Sequence, residues 1–288
     1  MSLGWLNKIG VEEENRRTAV YAFFHPTFQE YFASLAIYDW HFFLNHIPGN
    51  PLQPDASYFA FEQPWREVFL LWLGNQHISN SLKEELLGAL MNFDDGFGKP
   101  DFYRFRAKLL AASSLVEFQS FSKKQEVTDW ILNLSISQIE TFNNPTANSA
   151  RNLLKEIPCS VLAETFSVFL RCENVHLQHD AAKLVGELKC SDSRVVNALE
   201  YLALTTEFKD TRCDALCSLL EIDSTNVMAI DGLIQILYSQ GIDATLAIPA
   251  AQALRYAEIQ KEKVIQNLEN FIQPQFLEKT TVLLPPQL

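Results

Sequence analysis

Along most of this chain, apolar residues recur at the three- and four-residue intervals of an amphipathic helix, and strand-like alternation is rare. Breaks fall at Pro48-Gly49-Asn50-Pro51, at residues 94–100, and at Asn143-Asn144-Pro145. Only residues 18–24 read as a strand. They lead into Pro26, which suits the first turn of a helix because its missing N–H has no partner to lose there. Phe24, Phe28, Tyr31 and Phe32 then fall on one helix face, which predicts a stripe packed into a core. His25 and Glu30 are placed to orient the helix entry by hydrogen bonds. Composition changes near residue 145: all five tryptophans and most phenylalanines precede it, and Leu, Ala, Val and Cys dominate after it. This predicts a helical domain over residues 1–144 and a second over 145–288.

The second half repeats. Segments beginning at Ala150, Ala181, Ala215 and Ala250 align, each with an aliphatic residue four positions later. The alanines are 31, 34 and 35 residues apart, a period that suits one antiparallel helix pair per repeat. Partner helices are predicted over Val161–Leu170, Val195–Leu204, Val227–Leu237 and Val264–Ile272. Asp210 is the candidate cap for the helix carrying Ala215, and Gly241 the candidate stop before the last alanine segment. The pattern resembles HEAT repeats: Leu177 and Ala181-Ala182, or Leu246 and Ala250-Ala251, match an aliphatic followed by paired alanines. Arg212 fills the basic position of that scheme, whereas Ala147, Gln178 and Ala247 do not. The predicted fold is therefore all-α, a helical domain followed by an α-solenoid of HEAT-like helix pairs.

Charge narrows the partners. The formal net charge is −12, and the basic residues do not cluster, so nucleic acid and anionic lipid are poor partners. The longest apolar run, Val68–Leu73, is far too short to span a bilayer, and no signal-like run follows Met1. Five cysteines without an export signal suggest reduced thiols and a cytoplasmic location.

The stretch Tyr21-Ala22-Phe23-Phe24-His25-Pro26-Thr27-Phe28-Gln29-Glu30-Tyr31-Phe32-Ala33 resembles a signature near the end of bacterial NACHT-type NTPases, where it closes the winged-helix region after the ATPase core. Trp65-Arg66-Glu67-Val68-Phe69-Leu70-Leu71-Trp72-Leu73-Gly74 is similar to a downstream segment of cyanobacterial members, and Leu109–Ala112 with Glu117-Phe118 to a third. The resemblance covers roughly residues 3–120, and in that family HEAT-like arrays commonly follow. It marks Phe24, His25, Phe28, Gln29, Glu30, Tyr31, Trp65, Glu67 and Trp72 as structural motif positions rather than catalytic ones. It also implies a sensing role and an ATPase partner encoded upstream.

The chemistry such an ATPase needs is missing. No Gly-x-x-x-x-Gly-Lys-Ser/Thr loop occurs; around Gly96-Phe97-Gly98-Lys99-Pro100, position 93 is Phe and Pro100 stands where the magnesium-binding hydroxyl belongs. No Gly-x-Ser-x-Gly, His-Glu-x-x-His or dinucleotide fingerprint occurs either. Cys172, His176 and His179, completed by Cys190 or by Cys213 and Cys217, offer zinc-like spacing, but these cysteines occupy apolar repeat positions. Asp94, Asp95 and Asp101 lack the ligand order of a calcium loop. No metal and no cofactor is expected. The expected function is a non-catalytic interaction or sensor module; the alternatives are a stand-alone HEAT adaptor and a phycobilisome-type chromophore lyase, whose repeats look similar.

Overall fold

The computed structural model describes residues 6–11, 19–45, 58–94, 102–136, 145–239, 244–255, 257 and 265. The fold is all-α, with twelve α-helices among the described residues and one small hairpin. The chain divides into two compact units, residues 1–127 and 128–288. That division falls inside a helix, whereas the composition shift at 144–145 sits beside residues 137–144, which lie outside the described residues.

The first unit opens with β1 (Leu6–Val11), antiparallel to β2 (Ala19–Phe23), with Leu6 opposite Phe23 and an irregularity between Lys8 and Gly10. β2 matches the predicted strand; β1 was not expected from the sequence. Then come α1 (Pro26–Ala36), α2 (Arg66–Gly74), α3 (Asn80–Met91), α4 (Phe102–Ser113) and the start of α5 (Lys124–Ile136). Short 3-10 turns lie at Trp40–Phe42, Phe59–Phe61 and Gln63–Trp65. The core is aromatic. Trp72 is fully buried, its indole N–H donates to the Ile37 carbonyl at 3.0 Å, and the Phe43 ring meets Phe69 and Trp72 edge-on. Such pairs add about 1 kcal/mol beyond the area they bury. Lys83 is buried too, with its ammonium 5.5 Å from the Phe118 ring centroid, and burial lowers its pKa.

In the second unit α5 is followed by α6 (Pro145–Leu154), α7 (Cys159–Leu170), α8 (Val175–Glu187), α9 (Ser193–Thr205), α10 (Lys209–Ile222), α11 (Val227–Leu237) and α12 (Ala244–Leu254). The four aligned alanines sit in α6, α8, α10 and α12, and all four are fully buried. Small side chains at these positions let neighbouring helices approach closely. The predicted partner helices are α7, α9 and α11; Val264–Ile272 and Gly241 lie outside the described residues, apart from Ile265. α7 packs on α8 and α9, α8 on α10, α10 on α9, α11 and α12, and α11 on α12.

Local chemistry fixes the ends. Asn174, Asp192 and Asn226 accept backbone N–H bonds at the starts of α8, α9 and α11. Asp210 does not cap α10: Phe208 holds the cap position, and Asp210 lies in the first turn, where its charge suits the helix dipole. α8 ends in a Schellman turn, with Lys189 N–H on Gly186 O and Cys190 N–H on Val185 O. Lys189 occupies the left-handed position of that turn, at φ 49°, where glycine is the usual residue. Buried hydroxyls tie the helices together: Ser218 donates to the Ala182 carbonyl at 2.7 Å, and Thr128 meets Thr165, which donates to Asp129. Gly186 leaves room at this crossing, since a Cβ there would collide with Ser218 and Glu221.

Candidate interaction surfaces

The first surface is α1. His25 caps it, its Nδ1 accepting from Thr27 N–H at 3.3 Å and lying 2.9 Å from the Thr27 hydroxyl. Proline at the first turn and this cap make residues 26–36 helical, as the sequence predicts. The burial expectation fails. Phe24, Phe28, Tyr31 and Phe32 are exposed, and so are Leu35 and Tyr38. The helix turns its other side inward, burying Ser34, and packs on α2. Hydrophobic spacing reports that a helix has an apolar face; it does not report what covers that face. Phe32 stacks on Phe23 at 5.6 Å and meets Tyr31 edge-on, so these three rings are connected. A contiguous exposed apolar face is the usual mark of an interaction site.

Beside the end of α1 lies a hollow of about 610 Å³ lined by Ala33, Ala36, Ile37, Tyr38, Phe42 and Trp65, with Asp39 at its edge. Phe42, Phe59 and Trp65 support its wall through centroid distances near 5 Å. Asp39 accepts the His41 backbone N–H at 3.0 Å and lies 2.7 Å from His41 Nδ1; these bonds hold its carboxyl below the usual carboxylate range. The remaining motif positions separate: Trp72 is core, Trp65 is half-buried in the hollow's wall, Gln29 is exposed, Glu30 is half-exposed, and Glu67 is exposed 3.7 Å from Arg66.

The second surface is a cleft of about 1010 Å³ along α8, α10 and α12, bordered by Lys183, Glu187, Asp214, Glu221, Gln252 and Arg255 among others. At its edge α8 and α10 share a charged cluster. His179 Nδ1 is 2.7 Å from Asp214 Oδ2, Lys183 Nζ is 3.6 Å from the same oxygen, and Lys183 donates to His179 Nε2 at 2.9 Å. In the neutral imidazole the proton therefore sits on Nδ1, facing the carboxylate. The Asp214 contact raises the pKa of His179 against the opposing effect of burial. Burial raises Asp180 and Glu221, and the neighbouring Glu187 adds to the second.

The cysteine reading changes. Cys159, at the first position of α7, and Cys190, just beyond α8, are joined as a disulfide with Cα atoms 5.4 Å apart, whereas reduced thiols were expected. That separation is ordinary for a bridge. It also removes Cys190 from any zinc set. Cys213 is buried against the Leu246 carbonyl, and Cys217 has its pKa pushed up by Cys213 and by burial. Among the described residues no group of three His, Cys, Asp or Glu side chains is arranged to hold a metal. Asp94 pairs with Arg104 at 2.8 Å, while Asp95, Asp101 and the Gly96–Pro100 stretch lie outside the described residues. Among the described residues no helix is long and apolar enough to cross a membrane.

No protein-family model matches the chain, and no curated protein matches it in sequence.

Proposed function

We propose that this chain is a non-catalytic protein-interaction module, related to the part of a bacterial NACHT-type signalling NTPase that follows its ATPase core, and that it works in the cytoplasm. The observation that carries this reading is the exposed aromatic face of α1. Its residues are those of the NACHT-like stretch, and they present to solvent rings that a folded domain would normally bury. A surface of this kind fits a module that docks against another polypeptide, here the ATPase whose phosphate loop this chain lacks. In the second unit, buried alanines recurring in every other helix support a HEAT-like solenoid.

The test is affinity capture from source-cell lysate with the tagged full chain, run beside a Phe28→Ser/Tyr31→Ser variant. Recovery of a polypeptide carrying a Gly-x-x-x-x-Gly-Lys-Ser/Thr loop by the native chain alone supports the reading. Absence of any such ATPase sinks it. One observation favours a second reading, a stand-alone HEAT adaptor: the cleft along α8, α10 and α12 offers a concave surface that does not involve α1. That reading predicts a captured protein whose recovery is unchanged by the α1 substitutions.

A further inference from the structure

The second unit holds cysteines in two states: Cys159 and Cys190 are bridged, while Cys172, Cys213 and Cys217 are free thiols. In a reducing cytoplasm a disulfide is a transient bond that answers to the thiol pool. The cytoplasmic part of the reading above therefore makes this bridge one that opens and closes.

The bridge is placed to be opened. Cys159 is half-buried at the first position of α7, whereas Cys190 is buried just beyond α8. An incoming thiol meets the Cys159 end first. The bridge is also placed to matter. Cys190 N–H closes the turn after α8 on the Val185 carbonyl, and Lys189 before it holds a positive φ that a side chain disfavours. The disulfide pins this turn to α7; without it, backbone bonds and packing alone hold Lys189 in place. The same turn builds one wall of the cleft, where Gly186, Glu187 and Lys189 stand with Cys217, Ser218 and Glu221 of α10. The two walls fit closely, since a Cβ on Gly186 would collide with Ser218 and Glu221. A shift at the end of α8 is therefore felt at α10, where Cys217 is half-buried.

We infer that the Cys159–Cys190 bridge is a thiol-responsive latch on the cleft: closed, it fixes the α8 wall; open, it frees that wall and uncovers Cys217. Opening is a two-electron reduction by a small thiol such as glutathione. Its thiolate attacks Cys159 Sγ, the S–S bond breaks, and Cys190 Sγ leaves with the electron pair and takes up a proton. A second thiolate attacks the glutathione sulfur of the mixed disulfide, giving oxidised glutathione and a Cys159 thiolate that takes the second proton.

The test uses the purified full chain in native buffer, equilibrated with mixtures of reduced and oxidised glutathione. Peptide mass spectrometry after acid quenching and alkylation reads the bridge. The iodoacetamide rate at Cys217, measured after glutathione is removed, reads the cleft. In the closed state Cys213 and burial push the Cys217 thiol up and keep it unreactive. The bridge should open in a mixture poised as the cytoplasm is and re-form in an oxidising one. Cys217 should react at least about tenfold faster in the open state, with helix content unchanged by circular dichroism. Cys159→Ser/Cys190→Ser should match the open state and ignore the mixture. A bridge that persists in the reducing mixture is a permanent staple and overturns the proposal. So does an equal Cys217 rate in both states, or loss of helix content on reduction. A double-serine variant that still answers to glutathione overturns it too, because another thiol then carries the response. Failure to capture an ATPase from lysate would instead overturn the family reading and leave these results standing.

Discussion

The two units treat apolar periodicity in opposite ways. In residues 128–288 the pattern and the burial agree: Ala150, Ala181, Ala215 and Ala250 recur at one register and all are fully buried. In residues 1–127 an equally regular stripe on α1 faces solvent, although the unit has ample aromatic material for a core around Trp72. A stripe that recurs from helix to helix can be covered by its own next occurrence. A stripe that occurs once is free to be covered by something else.

The sharpest way to break this comparison is substitution in each kind of stripe. Trp72→Ala should cost about 3–5 kcal/mol in urea unfolding, because it empties a buried site and orphans the Ile37 carbonyl. Phe28→Ser and Tyr31→Ser should each cost about 0.5 kcal/mol or less, as exposed substitutions do. A large loss at Phe28 would show that α1 is covered within this chain.

Next in size is the bridge between Cys159 and Cys190, which are 31 positions apart. Reduction, or Cys159→Ser, should destabilise the second unit by about 3 kcal/mol on loop-closure grounds. Hydrogen exchange in α7 and α8 of the full chain reads this directly. Unchanged protection would remove the disulfide from the account of how this helix pair is held.

How much was legible in the sequence follows the same division. The alternating helices of the second unit could be read because each repeat restates the same register. β1 was hidden, being short and interrupted by Gly10 at its irregularity. The exposure of Phe24 and Tyr31 was hidden because periodicity encodes a face and not its neighbour. The Cys159–Cys190 bridge was hidden because each cysteine sits at a helix end whose partner is set by packing. Asp210 was misread as a cap because Lys209 is already helical. The charged cluster at the cleft joins residues 35 apart in sequence (His179 and Asp214), on helices that only the fold places side by side.

That cluster gives the second unit a pH dependence the first has no reason to share. His179, Asp180 and Glu221 all have raised pKa values, so the folded state holds their protons more tightly than the unfolded chain. The stability from each is complete below its unfolded value and is lost as pH rises through the folded one. The window therefore runs from about pH 4 for the carboxylates to above about pH 6.5 for the histidine. The lowered values of Asp192 and Asp223 act only on the acid side of that window. Protection of α8 and α10 should fall between mildly acidic and mildly basic pH, and Asp214→Asn should flatten the histidine part. A profile that rises with pH would contradict the arrangement.

One substitution runs the other way. Lys189→Gly should stabilise the second unit by about 1 kcal/mol, since glycine accepts a positive φ without a Cβ clash. A loss on substitution would mean that the Lys189 side chain matters more than its backbone strain.

α10 has a consequence for mechanics. It touches α8, α9, α11 and α12 at once, so it cannot rotate without disturbing four neighbours. A ligand levering on α10 from the cleft would be felt in α8 and α12 alike, the helices that border the same cleft.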